Sequence, residues 1–151
     1  MEGLTMFKKF TASTRKTETG LQVESESRGF KVIMDEPVDE GGANTGMNPV
    51  ELQLCAFGGC LTILTSMLAE KMRLTIDDIR VDVEGETDPR GLAGVKGVRP
   101  GYQNIRYTFH FRTEESPKKI EKLVSMVESL CPIHDTLSQP VNVVREDIVI
   151  E

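Results

Sequence analysis

Two periodicities alternate along this 151-residue chain. Over residues 7–34 the apolar positions recur every second residue: Leu21 and Val23, then Phe30, Val32 and Met34, each beside polar neighbours. Alternation puts every second side chain on one face of a pleated strand, so short strands are expected here, with Glu18-Thr19-Gly20 turning between the first two. Asp35 to Met47 is rich in glycine and polar residues and reads as a loop. A helix start follows. Asn48 suits the N-cap, Pro49 the first helical position, and Glu51 the place of a capping-box acid. From Val50 to about Met72 the chain is apolar on nearly every side, broken only by small hydroxyls and glycines. A helix of that kind must be surrounded by protein, which predicts that it is the central element of the fold.

The second half repeats the contrast. Ile79-Arg80-Val81-Asp82-Val83 alternates, residues 85–101 are loop-like, and Ile105, Tyr107, Phe109 and Phe111 alternate with Arg106, Thr108, His110 and Arg112. After Ser116-Pro117, the positions Ile120, Leu123, Val124, Val127 and Leu130 fall at helical spacing and leave one charged face. Cys131-Pro132 opens a short helical turn, and a last strand is expected around Val141 to Ile150. The order β-β-β-α-β-β-α-β predicts an α+β fold of antiparallel sheet around helices. At this length it fits a single domain over 1–151, with residues 1–6 flexible.

Composition narrows the function classes. The chain is 38% hydrophobic and 28% charged, ordinary for a globular protein. Its net charge of −6, with no basic run beyond Lys118-Lys119, argues against nucleic-acid binding, which needs clustered cations to displace counterions. The start lacks the basic and apolar regions of a signal peptide. The apolar stretch Leu54 to Ala69 carries Gly58, Gly59, Thr62, Thr65 and Ser66, and falls short of the ~18–20 residues a bilayer needs. A cytoplasmic protein with no membrane segment is expected.

Three cysteines without a secretory signal do not suggest a structural disulfide framework. Each is either an inert small hydrophobe or a reactive thiol. Cys55 and Cys60 lie five residues apart on one helix, so they point about 140° apart and do not share a site on it. Cys60 follows Gly58-Gly59, two mid-helix glycines that cost roughly 1 kcal/mol each relative to alanine. They either admit another backbone or a ligand beside a thiol, or allow tight packing with Cys60 as filler. Cys131, just before Pro132, either sits near free backbone N–H groups that favour a thiolate or merely ends an apolar stripe.

Two blocks resemble the OsmC/Ohr family of hydroperoxide-reducing proteins. The first runs Gly41-Gly42-Ala43-Asn44-Thr45-Gly46-Met47-Asn48-Pro49-Val50-Glu51-Leu52 and on to Gly58-Gly59-Cys60; the second is Cys131-Pro132-Ile133-His134-Asp135-Thr136-Leu137. Asp88-Pro89-Arg90-Gly91 and Gly101-Tyr102-Gln103-Asn104-Ile105 add to the likeness, which covers the chain from about residue 7 onward. The resemblance implies an intertwined homodimer, with sheets wrapped around two long central helices. It implies that Cys60 attacks peroxide and Cys131 resolves, with Arg28 polarising the thiolate and Glu51 holding Arg28, and that Cys55 has no such role and packs in the core. Glu51 departs from the strict Ohr pattern, in which the acid directly follows the proline; capping alone accounts for it, and a broader OsmC-like branch is implied. No cofactor or metal is expected.

The chemistry so implied is reduction of organic hydroperoxides, through a sulfenic acid on Cys60 that condenses with Cys131 to a disulfide. A lipoyl-type dithiol or a thioredoxin-like donor reopens it. An apolar pocket near Phe57, Leu61 and Leu64 would favour alkyl or fatty-acid hydroperoxides. Two rivals stand beside it. One is a non-catalytic OsmC-like domain that binds a small apolar ligand or a partner. The other is a Cys-His hydrolase or metal site using Cys131, His134 and Asp135, although zinc sites usually draw four ligands at tighter spacing.

Overall fold

The computed structural model describes residues 6–151, so the flexible start expected over 1–6 lies, apart from Met6, outside the described residues. The chain divides into two compact units, residues 1–53 and 54–151.

In the first unit, β1 (Ser13–Lys16), β2 (Val23–Ser27) and β3 (Phe30–Met34) form an antiparallel meander in the order β1-β2-β3. Lys16 pairs with Val23, and Ser27 with Phe30. The second pairing leaves a two-residue hairpin, Arg28-Gly29, with φ of 55° and 84°. Both are left-handed, as a primed turn matched to strand twist requires; glycine adopts this freely and Arg28 does not. Past β3 the chain folds around Asp35. Its carboxylate accepts from the backbone N–H groups of Glu36 (2.8 Å), Ala43 (3.2 Å) and Thr45 (3.1 Å) and from the Thr45 hydroxyl (2.7 Å). Four donors favour the ionised form, and the Thr45 hydroxyl bond leads in holding this carboxyl below the usual carboxylate range. The loop is thereby fixed, with a 3-10 turn at Val38–Glu40.

The long helix α1 (Pro49–Lys71) starts at the expected capping box. The Asn48 N–H donates to Glu51 Oε2 (2.8 Å) and the Glu51 N–H to Asn48 Oδ1 (2.9 Å).

The second unit holds the rest of α1, then β4 (Asp78–Thr87), α2 (Pro89–Leu92), β5 (Tyr102–Arg112), α3 (Pro117–Leu130) and α4 (Pro132–Ser138). β4 and β5 pair antiparallel, Val81 opposite Phe109 and Val83 opposite Tyr107. Period-2 alternation gives this hairpin two faces. Val81, Val83, Ile105, Tyr107, Phe109 and Phe111 pack on the core, while Arg80, Asp82, Glu84, Arg106 and His110 pair among themselves in solvent. The core joins Phe57, Leu61, Leu68 and Ala69 of α1 to Leu123 and Val127 of α3 and to Cys131. Burial of a leucine such as Leu61 or Leu123 stabilises by about 1.5–3 kcal/mol.

Three expectations change. β4 runs on to Thr87 and a helical turn occupies Pro89–Leu92, where residues 85–101 read as loop. Gly85 hid the alternation: it takes an inward position, and a Cβ there would stand 2.6 Å from Tyr102 Cδ1, so the ring fills the space a side chain would occupy. The strand expected around Val141–Ile150 does not form; residues 140–151 carry no regular structure, with Val143 86% and Ile150 92% exposed. Its apolar residues pair with no strand among the described residues. Finally, α1 is long and apolar enough to cross a membrane by length and composition, yet its Phe57–Leu61–Thr65–Leu68 face packs on protein. On the opposite face, among the described residues, Ile63 is 65% and Met67 62% exposed.

Candidate active site: a dithiol at the start of a short helix

Cys60 and Cys131, 71 residues apart in sequence, meet in the second unit with their sulfurs 2.9 Å apart. Neither is bonded; both are free thiols. Each position follows from local structure. Gly58 lets α1 approach β4, since a Cβ there would already press on Val83 Cγ2 at 3.2 Å, and this seats Cys60 two residues on. Gly59 looks to the open side, where a Cβ would meet nothing. Of the two purposes read for these glycines, close packing holds for Gly58.

Cys131 ends α3 and begins α4. As the last cap of α3 its N–H donates to the Val127 carbonyl, and as N-cap of α4 its sulfur accepts from the His134 N–H at 3.4 Å. Pro132 suits the first helical position because its missing N–H is one the helix leaves unpaired anyway. The next N–H, that of Ile133, serves the Cys60 sulfur and favours its charged form. The two sulfurs thus lie against the first turn of one helix. Burial outweighs that help at Cys60: desolvation first, then the contact with Cys131, push its thiol above the ordinary value. Cys131 is only 1% exposed and Cys60 partly exposed, so access to the pair is from the Cys60 side. Cys55, expected to pack in the core, is instead exposed, because it lies on another face of α1 from the buried Phe57–Leu61 side.

Aromatic rings share the core cluster with the pair. Phe57 meets Tyr107 edge-on at 5.3 Å and His134 at 6.1 Å; Tyr107 meets His134 at 6.2 Å and Phe109 at 6.0 Å. The Tyr107 hydroxyl donates to Glu128 Oε1 at 2.8 Å. Burial foremost, then this bond and the Glu128 charge, push the phenol pKa up to about 12. Phe57, Leu61 and Leu64, expected to line an apolar pocket, instead pack in the core cluster that includes the thiols, with Phe57 2% and Leu61 0% exposed.

The other candidates make local contacts of their own. Arg28 lies on the exposed hairpin of the first unit, its guanidinium 5.2 Å from the Phe30 ring centroid, a cation–π stack. Glu51 makes the bonds of a capping box. His134 approaches Cys131 through its backbone N–H while its ring faces Phe57 and Tyr107, and Asp135 is exposed. Among the described residues no group of three His, Cys, Asp or Glu side chains could hold a metal ion. Sequence reasoning missed the Tyr107–Glu128 pair. One signal was present: Glu128 interrupts the apolar stripe of α3 directly after Val127 and three residues before Cys131.

The family model described as OsmC-like protein matches residues 41–146, a span holding both cysteines. The chain belongs to the OsmC-like family. Solved structures share its fold. It is similar to an OsmC-like protein from Mycoplasma pneumoniae (TM-score 0.75, 21% identity, 88% of this chain and 89% of that one). It is also similar to an organic hydroperoxide resistance protein OsmC from Legionella pneumophila (0.62, 16%, 87% and 90%). A third likeness is to an organic hydroperoxide resistance protein from Elizabethkingia anophelis (0.61, 13%, 87% and 89%). No curated protein matches the chain. The OsmC-like assignment agrees with the antiparallel α+β architecture above.

Proposed function

We propose that this OsmC-like protein is a thiol-dependent peroxidase that reduces organic hydroperoxides, with Cys60 as attacking and Cys131 as resolving thiol. One observation carries the reading: two thiols remote in sequence, one of them partly exposed, stand 2.9 Å apart. The Cys60 thiolate attacks the distal peroxide oxygen, the O–O bond breaks, and the alkoxide takes a proton to leave as alcohol. Cys60 is now a sulfenic acid. The Cys131 sulfur displaces its hydroxyl, forming the disulfide and releasing water. An external dithiol, lipoyl-type or thioredoxin-like, returns both thiols and is itself oxidised. Arg28 is the proposed stabiliser of the thiolate and developing alkoxide, with Glu51 as its candidate partner beyond the capping bonds it makes.

We propose an alkyl or fatty-acid hydroperoxide over hydrogen peroxide, a reading supported by the apolar surroundings of Cys60 in the core cluster. We further propose a single OsmC-like domain working as an intertwined homodimer in the cytoplasm as part of an oxidative stress response. The uncovered Ile63–Met67 face of α1 and the unpaired apolar residues 141–150 support a second copy. A free dithiol suits a reducing compartment.

One equivalent of cumene hydroperoxide is expected to link Cys60 to Cys131, as mapped by peptide mass. Cys131→Ser should stop at the sulfenic acid, and Cys60→Ser should consume no peroxide. Peroxide consumption that survives both substitutions defeats the proposal. Arg28→Ala should slow the first step without moving the bridge. Ile63→Lys with Met67→Lys should convert a dimer to monomer in size-exclusion chromatography. A second reading, a non-catalytic binder of a small apolar ligand, is favoured by the near-complete burial of Cys131 and the raised Cys60 thiol. Thiols unchanged after hydroperoxide would decide for it.

A further inference from the structure

We propose that the Cys60–Cys131 pair is a chelating site for monosubstituted trivalent arsenicals, R–As(OH)2, which occupy both sulfurs at once and so block them. The inference stands on the placement of the two thiols and needs no peroxide chemistry. Cys60 on α1, partly exposed, and Cys131 at the end of α3 bring their sulfurs to 2.9 Å with no covalent bond between them. That spacing selects among the soft, thiol-seeking centres such a pair can hold. With bonds to sulfur of about 2.3 Å, a linear centre spreads its two sulfurs about 4.6 Å, a tetrahedral one about 3.8 Å and a right-angled one about 3.3 Å. Trivalent arsenic is pyramidal, with bond angles near a right angle, because a lone pair takes the fourth place. Of the three geometries it asks the least movement of this pair.

The neighbours decide how many bonds the ligand must offer. A zinc site draws four ligands, and among the described residues no group of three His, Cys, Asp or Glu side chains could hold a metal ion. Cys55 lies about 140° round α1 from Cys60 and is exposed, so it supplies no third sulfur to the pair. Inorganic arsenite, with three exchangeable hydroxyls, would keep one of them beside apolar side chains, which is costly. A compound with two hydroxyls and one organic group spends both on the sulfurs. Its remaining substituent suits a setting that holds Phe57, Leu61, Leu64 and Ile133. Entry is from Cys60, since Cys131 is only 1% exposed. Burial, then the contact with Cys131, holds the Cys60 thiol above its ordinary value, so it meets the ligand protonated. Two S–H and two As–O bonds are exchanged for two As–S bonds and two molecules of water, and no oxidation state changes.

The test adds one equivalent of phenylarsine oxide, which hydrates to the dihydroxy form, to the reduced full chain. One phenylarsenic group per chain is expected, with two of the three thiols lost to titration and peptide mass placing the group across Cys60 and Cys131. Cys55→Ser should bind as the parent does. Cys60→Ser and Cys131→Ser should each bind about 100-fold more weakly, because the second bond of a chelate forms within one molecule. A second comparison uses the unaltered chain, so it does not depend on the folding of a variant. A monomethyl arsenical should bind it about 100-fold more tightly than a dimethyl one, which has a single exchangeable group. The phenyl adduct should withstand excess 2-mercaptoethanol and come off with dimercaptopropanol. Full affinity after loss of either sulfur, equal binding of the two methyl compounds, or release by the monothiol overturns the proposal. Chelation by a protein inert to cumene hydroperoxide would sink the peroxidase reading alone. A peroxide-driven bridge in a protein that takes up no arsenical would sink the chelate alone.

Discussion

The two units of this chain are held together by different means. In residues 54–151 the buried side chains are apolar or sulfur-bearing apart from Thr65, and they form one cluster across α1, α3 and the β4–β5 hairpin. In the described residues of the first unit the single buried side chain is a carboxylate, Asp35, and Phe30, Leu21 and Val38 lie exposed. Hydrophobic burial drives one; hydrogen bonds around a charge shape the other. A meander of three short strands without a buried apolar face is marginal alone, so the first unit depends on whatever covers its apolar residues. The dithiol belongs to the unit with the apolar core, and the proposed arginine to the other.

That contrast can be broken most sharply in the core. Leu61→Ala or Leu123→Ala should cost about 2–5 kcal/mol, read as a lower urea midpoint, whereas Phe30→Ala in dilute protein should cost less than about 0.5 kcal/mol. A Phe30→Ala penalty that grows with protein concentration would show a second copy covering the sheet. Next in size is Asp35→Asn, which keeps the shape and removes the charge. The folded Asp35 carboxyl is held below its usual range, so its contribution is present above the unfolded value. It fades as pH falls through the lower, folded one. Melting curves of parent and variant should differ at neutral pH and converge in acid. Removing the helix cap with Asn48→Ala should cost about 1 kcal/mol. Smallest is Arg106→Ala: it loses exposed pairs with Glu84 and Glu86 on the outer hairpin face, and thermal melts should not detect the change.

Much of this was legible beforehand where the signal is local. Asn48-Pro49-Glu51 and Ser116-Pro117 announced α1 and α3, and the alternation from Phe30 to Met34 and from Ile105 to Phe111 announced strands. Local rules failed at Gly85, where a tyrosine from the next strand supplies the missing side chain, and at Val141–Ile150, where β-branched apolar residues stand without a pairing strand. For the site, local reading separated Cys55 from Cys60 by helical angle but left each thiol's role open. Only the family resemblance named Cys60 and Cys131 together, because no rule of spacing joins residues on different helices. Tyr107 and Glu128 escaped notice for the same reason: each is unremarkable in its own element, and their meaning arises between elements.

Cys131 closes one helix and opens the next with the same residue. The lone pairs that take up the His134 N–H are those that any new bond at that sulfur must share. Chemistry there loosens the first turn of α4 at its anchoring point. The amide of His134 should therefore act as a built-in gauge, its exchange with solvent quickening when the sulfur is oxidised and slowing again on reduction.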